Sequence, residues 1–322
     1  MSFLSGLYGF DFMGHKRWWF GLSAAVILIG LGSLFIKGDG NPIQGLNFGL
    51  EFKEGTRVSV AFEGQPTLGE VRKTVTAAGH GGAQIQETQN VAGTNLVGFQ
   101  IQTETLSPEE QRELQEALDE AFTIASPEGA EIFSLELVGA TFGRLVVSSS
   151  LKAIAIALLL ILIYVTLRFQ WKFAVGAVGA EIHDLFIVVG VYSITGREVT
   201  TATIAAVLTI LGYSLYDTVI IFDRIRENEP KLRRLPYGEI VNVSISQTLT
   251  RSMNTTLTTL LPVLCLLFFG GETLKDFAFA LLVGIFSGAY SSIFIASPIT
   301  TVLKEREPQQ RKLKLAAQAE EA

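Results

Sequence analysis

The sequence predicts a helical membrane bundle of six spans with one small α+β domain inserted after the first. Three observations carry that prediction. The 322-residue chain is 48% hydrophobic and only 17% charged, with a positive mean hydropathy, too apolar for a water-soluble domain of this length. Six apolar runs recur along it, each about long enough to cross a hydrocarbon core of roughly 30 Å. Between the first and second of them, residues 39–143 are rich in acids and switch between strand and helix periodicity.

Taken in order, residues 1–17 form a cytoplasmic N-terminus, in which His15, Lys16 and Arg17 precede the first span, 18–36. No small-residue cleavage site follows that span, so it is expected to remain as an anchor with its N-terminus in the cytoplasm. In the inserted domain Thr56–Phe62 alternates as a strand. Thr67 with Glu70 three residues on forms a capping box opening a helix that Gly79 ends. Ala83–Gln89 and Leu96–Gln102 alternate again around a turn at Gly93. Ser107, Pro108 and the acids Glu109 and Glu110 open a second helix, running to Phe122, and Glu131–Val138 closes the domain as a strand. The order β-α-β-β-α-β is that of the ferredoxin-like, split β-α-β unit.

The bundle proper covers 145–303, with spans near 145–167, 173–194, 200–222, 252–269 and 277–303. A loop at about 223–250 and a tail, 304–322, complete the chain. Six crossings put both termini on one side. Lys16, Arg17, Arg168, Lys172, Arg224, Arg226, Lys231, Arg233, Arg234, Lys304, Arg306, Arg311, Lys312 and Lys314 all fall on that side, while the opposite links carry Arg197 and Lys275. This asymmetry places the termini in the cytoplasm and the inserted domain outside it.

Charged and polar groups inside the spans are the candidate functional residues, because an ionisable side chain at bilayer depth is costly. Asp217 sits in the fourth span. Glu181, His183 and Asp184 lie near the middle of the third, with Glu181 and Asp184 three apart and so on one side of a helix. In and before the fifth, Ser244, Gln247, Arg251, Asn254, Thr255 and Thr258 recur at three- and four-residue steps, a single polar stripe if the helix is continuous. Asp217 and Arg251 lie at similar depth and are expected to pair. The plainer readings are that Arg251 snorkels to the interface, that Asp217 ties helices together through hydroxyls such as Ser214, and that His183 is structural. Cys265 is the sole cysteine and the histidines are scattered, so no metal or redox framework is expected. Neither a Walker-type lysine loop nor a nucleophile elbow is present, and no enzyme class or nucleic-acid partner is indicated.

Several stretches in the same order carry a resemblance: FDFMGHKRWWF from Phe10, GLNFGLEFKEGT from Gly45, VGATFG from Val138, RFQWKFAVGA from Arg168, the His183–Asp184 pair, GYSLYDT with FDRIREN from Gly212, and TLTRSMNTTLTTL from Thr248. Over residues 10 to about 305 the chain resembles the SecF branch of the SecD/SecF family, in the resistance-nodulation-division (RND) superfamily. The resemblance implies half of an RND unit in the bacterial inner membrane, an accessory subunit of the Sec translocase. Such a subunit pairs with SecD, joins the SecYEG channel, and uses the proton motive force to help draw unfolded preproteins across after the ATPase SecA has inserted them. It also implies proton passage through the positions of Asp217 and Arg251, with the proton as coupling ion, sodium in some relatives, and no cofactor. Asp184 is a further relay candidate, with Glu181, His183, Asn254 and Thr255 weaker ones. Three departures stand out. Tyr216 occupies the place of an asparagine, GLEFKEG with Glu51, Lys53 and Glu54 replaces a GxDFTGG pattern, and Glu181 replaces an apolar residue. The alternatives are half of a small-molecule exporter of the same superfamily and a non-conducting assembly subunit.

Overall fold

The computed structural model describes residues 10–52, 55–64, 66–89, 97–126, 133–308, 310 and 313. Lys53, Glu54, the turn at Gly93, Glu131 and the basic residues Arg311, Lys312 and Lys314 lie outside them. The chain divides into two compact units, Phe48–Ser150 and the remainder, the second boundary falling inside one long helix.

The smaller unit follows the alternation read above. Its strands are β1 (Gly55–Ala61), β2 (Gln84–Gln89), β3 (Val97–Thr103) and β4 (Phe133–Val138), paired antiparallel in the order β2-β3-β1-β4. Val58, Val60, Phe99 and Ile101 point to one face, where they pack with Val71, Val75, Leu114 and Leu118 of two helices. Both helices begin on complete capping boxes: Thr67 with Glu70 before α2 (Leu68–Ala77), and Ser107 with Glu110 before α3 (Pro108–Phe122). Each glutamate accepts a backbone N–H at the cap, from Thr67 at 2.8 Å and from Ser107 at 2.7 Å. These bonds favour the ionised form and hold both carboxyls below the ordinary glutamate range.

Among the described residues six helices are long and apolar enough to cross a membrane. The first is α1 (Lys16–Lys37), followed by α4 (Ala140–Arg168), α5 (Trp171–Thr195), α6 (Thr201–Asn228) and α7 (Tyr237–Phe269). The last has three parts: α8 (Glu272–Ser291), a π-helical turn over Ser292–Ala296, and α9 (Ser297–Glu305). Pro298 has no N–H to give to the helix, and the wide turn falls just before it. The link expected over about 223–250 is helical at both ends: α6 runs on to Asn228 and α7 starts at Tyr237, leaving only 229–236 between. Charge density there suggested a loop. The buried faces of Ile225, Ile240, Val241 and Ile245 instead keep the helices going.

Contacts at the helix ends fix an up-and-down arrangement. At one end Lys16 meets Glu305 at 3.4 Å, Lys172 meets Glu307 at 2.6 Å and Lys304 meets Glu229 at 3.3 Å. Asn242 there binds the Met13 N–H at 3.0 Å. At the other end Lys37 reaches the Ser193 carbonyl, and Arg197 and Tyr192 both reach Asp276. α1 crosses α5 with backbones almost touching: a Cβ on Gly30 would lie 2.6 Å from the Gly190 Cα. Close approach of this kind gives helices in lipid their van der Waals contact. By contrast α4 leaves Leu151, Ile156, Leu159, Leu160, Ile163 and Leu167 exposed, an apolar surface suited to lipid.

Candidate functional site

Two polar centres lie inside the bundle, and they are built differently. The first surrounds Asp184 on α5, 1% exposed. Its Oδ2 accepts hydrogen bonds from Ser214 of α6 and Ser291 of α8, both at 2.8 Å, and its Oδ1 accepts one from Ser287 of α8 at 2.5 Å. His183 Nδ1 stands 3.1 Å from Oδ1, its ring stacked on Tyr290 at 5.9 Å. Gly288 permits the approach, since a Cβ there would meet the Ser214 Cβ at 2.9 Å. Three serine hydroxyls donate to this carboxyl, and His183 adds a fourth donor in its Nδ1–H tautomer, which together match the acceptor capacity of an ionised group. Glu181, one turn earlier on α5, is fully buried, and neither of its carboxyl oxygens has a hydrogen-bond partner.

The second centre is Asp217 on α6, 2% exposed. Ser252 of α7 donates to its Oδ2 at 2.7 Å, while Oδ1 is buried without a partner. The expected ion pair with Arg251 is not formed. Arg251 is exposed, and its Nη2 donates to the Tyr216 hydroxyl at 3.0 Å. The reason is rotational. Ser252 is the α7 residue that faces inward beside Asp217, and its neighbour Arg251 is turned about 100° around the helix axis, toward a groove between α4, α6 and α7. That groove holds about 620 Å³ and is lined by Tyr164, Arg168, Asp223, Arg224, Gln247 and Arg251 among others.

The single polar stripe expected on α7 is therefore two. Ser244, Thr248, Ser252 and Thr256 face inward, whereas Gln247, Arg251, Asn254 and Thr258 are exposed and Thr255 lies between. Thr255 lies beside Asp217, with its hydroxyl donating to the Arg251 and Ser252 carbonyls of its own helix, and Asn254 is exposed. Sequence reasoning missed Ser252, Ser287 and Ser291. The four-residue spacing of Ser287 and Ser291 in an apolar helix was the available signal.

Known proteins resemble this chain along nearly its whole length. The family described as protein export membrane protein SecD/SecF, C-terminal, matches residues 118–306. A protein translocase subunit SecF from Rhodothermus marinus is 35% identical over 313 residues, covering 95% of this chain and 97% of its own length. One from Pseudomonas aeruginosa is 38% identical, with 90% of each chain covered. The SecDF protein of Thermus thermophilus is 39% identical over 94% of this chain, which spans only 39% of that longer protein. A crystal structure of SecDF from the same organism, described as a translocon-associated membrane protein, superposes with a TM-score of 0.80 at 37% identity, over 92% of this chain and 39% of that one.

Proposed function

The chain belongs to the SecD/SecF family of protein-export membrane proteins, and from that membership we propose that it is a proton-driven accessory subunit of the Sec translocase. In this reading it pairs with a SecD subunit in the bacterial inner membrane, associates with the SecYEG channel, and promotes translocation of unfolded preproteins after SecA has begun their insertion. The basic cluster at the end of the bundle that carries Lys16, Lys172 and Lys304 supports a cytoplasmic placement of both termini. The β2-β3-β1-β4 order supports a ferredoxin-like fold for the inserted domain, whose sheet edges suit contact with extended polypeptide.

The observation that carries the proton coupling is Asp217, an acid sealed inside the bundle with one oxygen paired to Ser252 and the other to nothing. Such a group can bind a proton without breaking a hydrogen bond, and its charge is uncompensated when the proton leaves. Arg251, held on Tyr216 one residue away, is the cation able to compensate it after a change of rotamer. Protonation then decides between two arrangements of α6 against α7. Moving one charge through 100 mV supplies about 2.3 kcal/mol, enough to shift such an equilibrium by more than tenfold. Exposed Arg251, Asn254 and Thr258 form a polar face that a partner subunit rather than lipid would cover.

The test is preprotein export in vesicles energised by a proton gradient with ATP limiting. Asp217→Asn keeps the shape and the bond from Ser252 but cannot carry a proton, so gradient stimulation is expected to disappear while the complex still assembles. A normal gradient response in that variant overturns the proposal, and loss of stimulation on sodium withdrawal at constant gradient assigns the coupling to sodium instead.

A further inference from the structure

The groove between α4, α6 and α7 is lined by Arg168, Arg224 and Arg251, and the first two are paired with acids of the same groove. Arg168 meets Asp223 at 3.5 Å, and Arg224 meets Glu227 at 2.6 Å. Arg251 is held by a neutral group instead, its Nη2 donating to the Tyr216 hydroxyl at 3.0 Å. Tyr216 and Asp217 are successive on α6, as Arg251 and Ser252 are on α7, so the two helices meet through two neighbouring rungs. The inner one joins Ser252 to the buried Asp217 at 2.7 Å, and the outer one joins Arg251 to Tyr216 on an exposed face. A guanidinium has five donors and no acceptor, so only an acceptor can keep it at a fixed place. Tyr216 supplies one at the end of a rigid ring that is half exposed. Its hydroxyl is uncharged and meets a single nitrogen, a weaker hold than the two-pronged grip of a carboxylate. Arg251 is thus held without being locked.

We propose that Tyr216 is a positioning residue, whose hydroxyl parks Arg251 outside the bundle while Asp217 is neutral and yields it when Asp217 is charged. The proposal rests on the reading of Asp217 as proton carrier and Arg251 as its compensating cation, and it adds the group that keeps them apart. Asp217 Oδ1, buried without a partner, is the atom left open for the guanidinium. Attraction between opposite charges draws Arg251 inward, and without a bond outside only water competes for it once the proton returns. The Tyr216 hydroxyl supplies that bond. A hydrogen bond to a charged group is worth roughly tenfold or more in the balance between two rotamers. Protonation then moves one side chain between two defined places, the exposed face of α6 and its buried side, and that step biases how α6 packs on α7.

The experiment separates the hydroxyl from the ring. Gradient-stimulated preprotein export is measured in vesicles carrying Tyr216→Phe, which keeps the ring and loses the acceptor, and Tyr216→Gln, which loses the ring and keeps an acceptor oxygen. Tyr216→Phe should lower the gradient-dependent part of export by about fivefold or more, while Tyr216→Gln retains most of it. Full stimulation in Tyr216→Phe overturns the proposal, and so does loss in both variants, which would give the ring a packing role. A second measurement needs no transport. Solid-state NMR of the full-length protein in bilayers, with isotope labels on the arginine guanidinium nitrogens and the tyrosine Cζ, should show a guanidinium–phenol contact that vanishes in both Tyr216→Phe and Arg251→Lys. The contact should persist in Asp217→Asn, where the side chain at 217 is always neutral; its absence there overturns the parking role. A normal gradient response in Asp217→Asn would end the proton reading while leaving that contact in place, so the two failures are told apart.

Discussion

Replacing Gly30 with alanine tests the close backbone crossing of α1 and α5. A Cβ at that position would stand 2.6 Å from the Gly190 Cα, and the reciprocal contact from Gly190 is 3.0 Å. Carbon atoms pack comfortably at about 3.5–4.0 Å, so α1 and α5 must separate by roughly 1 Å or tilt. Because the obstructing atom is backbone, no side-chain rotamer can relieve it. Overpacking of this kind costs about 1–3 kcal/mol. The control is on the same helix: a Cβ on Gly32 meets nothing within 4 Å, and Gly→Ala inside a helix ordinarily gains about 0.5–1 kcal/mol from reduced chain freedom. That gain is common to both positions, so the two variants should differ by the overpacking term, roughly 1–3 kcal/mol. Thermal unfolding of the detergent-solubilised protein, followed by fluorescence of Trp18 and Trp19 on α1, reads the difference. Gly30→Ala should lower the midpoint and Gly32→Ala should leave or raise it. Equal midpoints would refute the claim that the Gly30–Gly190 crossing is close-packed.

Further predictions concern both units. Leu114→Ala in the small domain, where Leu114 is wholly buried, should cost about 2–5 kcal/mol and lower the melting midpoint of the excised domain; an unchanged midpoint would mean that the helix does not pack on the sheet. The same domain should lose stability in acid. Glu70 and Glu110 have folded values below the ordinary glutamate value, so their contribution is present above that value and is lost as pH falls through the lowered one. Circular dichroism on Thr67→Ala and Ser107→Ala should show a weaker acid dependence than in the wild type, with each lost cap costing about 1 kcal/mol at neutral pH. Arg251→Met should abolish gradient-stimulated export while improving membrane insertion; full stimulation in this variant would confine Arg251 to snorkelling. Purification in mild detergent should yield a hetero-oligomer with a SecD-like subunit, and a stable, active lone chain in bilayers would count against the need for a partner.

Much of the fold could be read from local chemistry. Both capping boxes rest on residues three apart, and β1–β4 each begin or end within a couple of residues of their alternating runs, because strand period and cap chemistry are short-range properties. Boundaries failed where charge and burial disagreed: the stretch 223–250 is charged enough to suggest a loop, yet its Ile and Val positions pack. The site was legible as a set of residues but not as a geometry. Asp184, Asp217 and Arg251 stand out as ionisable groups in apolar runs. Which α7 residue faces Asp217 depends on the rotation of one helix against another, which no periodicity within a single helix fixes. Ser252 won that place, and Arg251 went to Tyr216. The serines around Asp184 come from positions 30, 103 and 107 residues away in sequence, and only tertiary packing brings them together.

The π-helical turn at Ser292–Ala296 has a consequence for motion. A π turn accommodates one residue more than an α turn, so moving it along the helix re-phases the intervening residues by one residue, about 100° of rotation, at the cost of exchanging hydrogen-bond partners only locally. The turn lies directly after Ser287 and Ser291, which hold Asp184, and Ser292 itself bonds to Thr218 of α6 at 2.9 Å. Shifting the wide turn one step toward the N-terminus would swing the Ser291 hydroxyl off the Asp184 carboxyl while α9 and its Lys304 anchor stay where they are. The last helix can thus change what it offers to the interior by rotating a short internal segment, with both of its ends held fast.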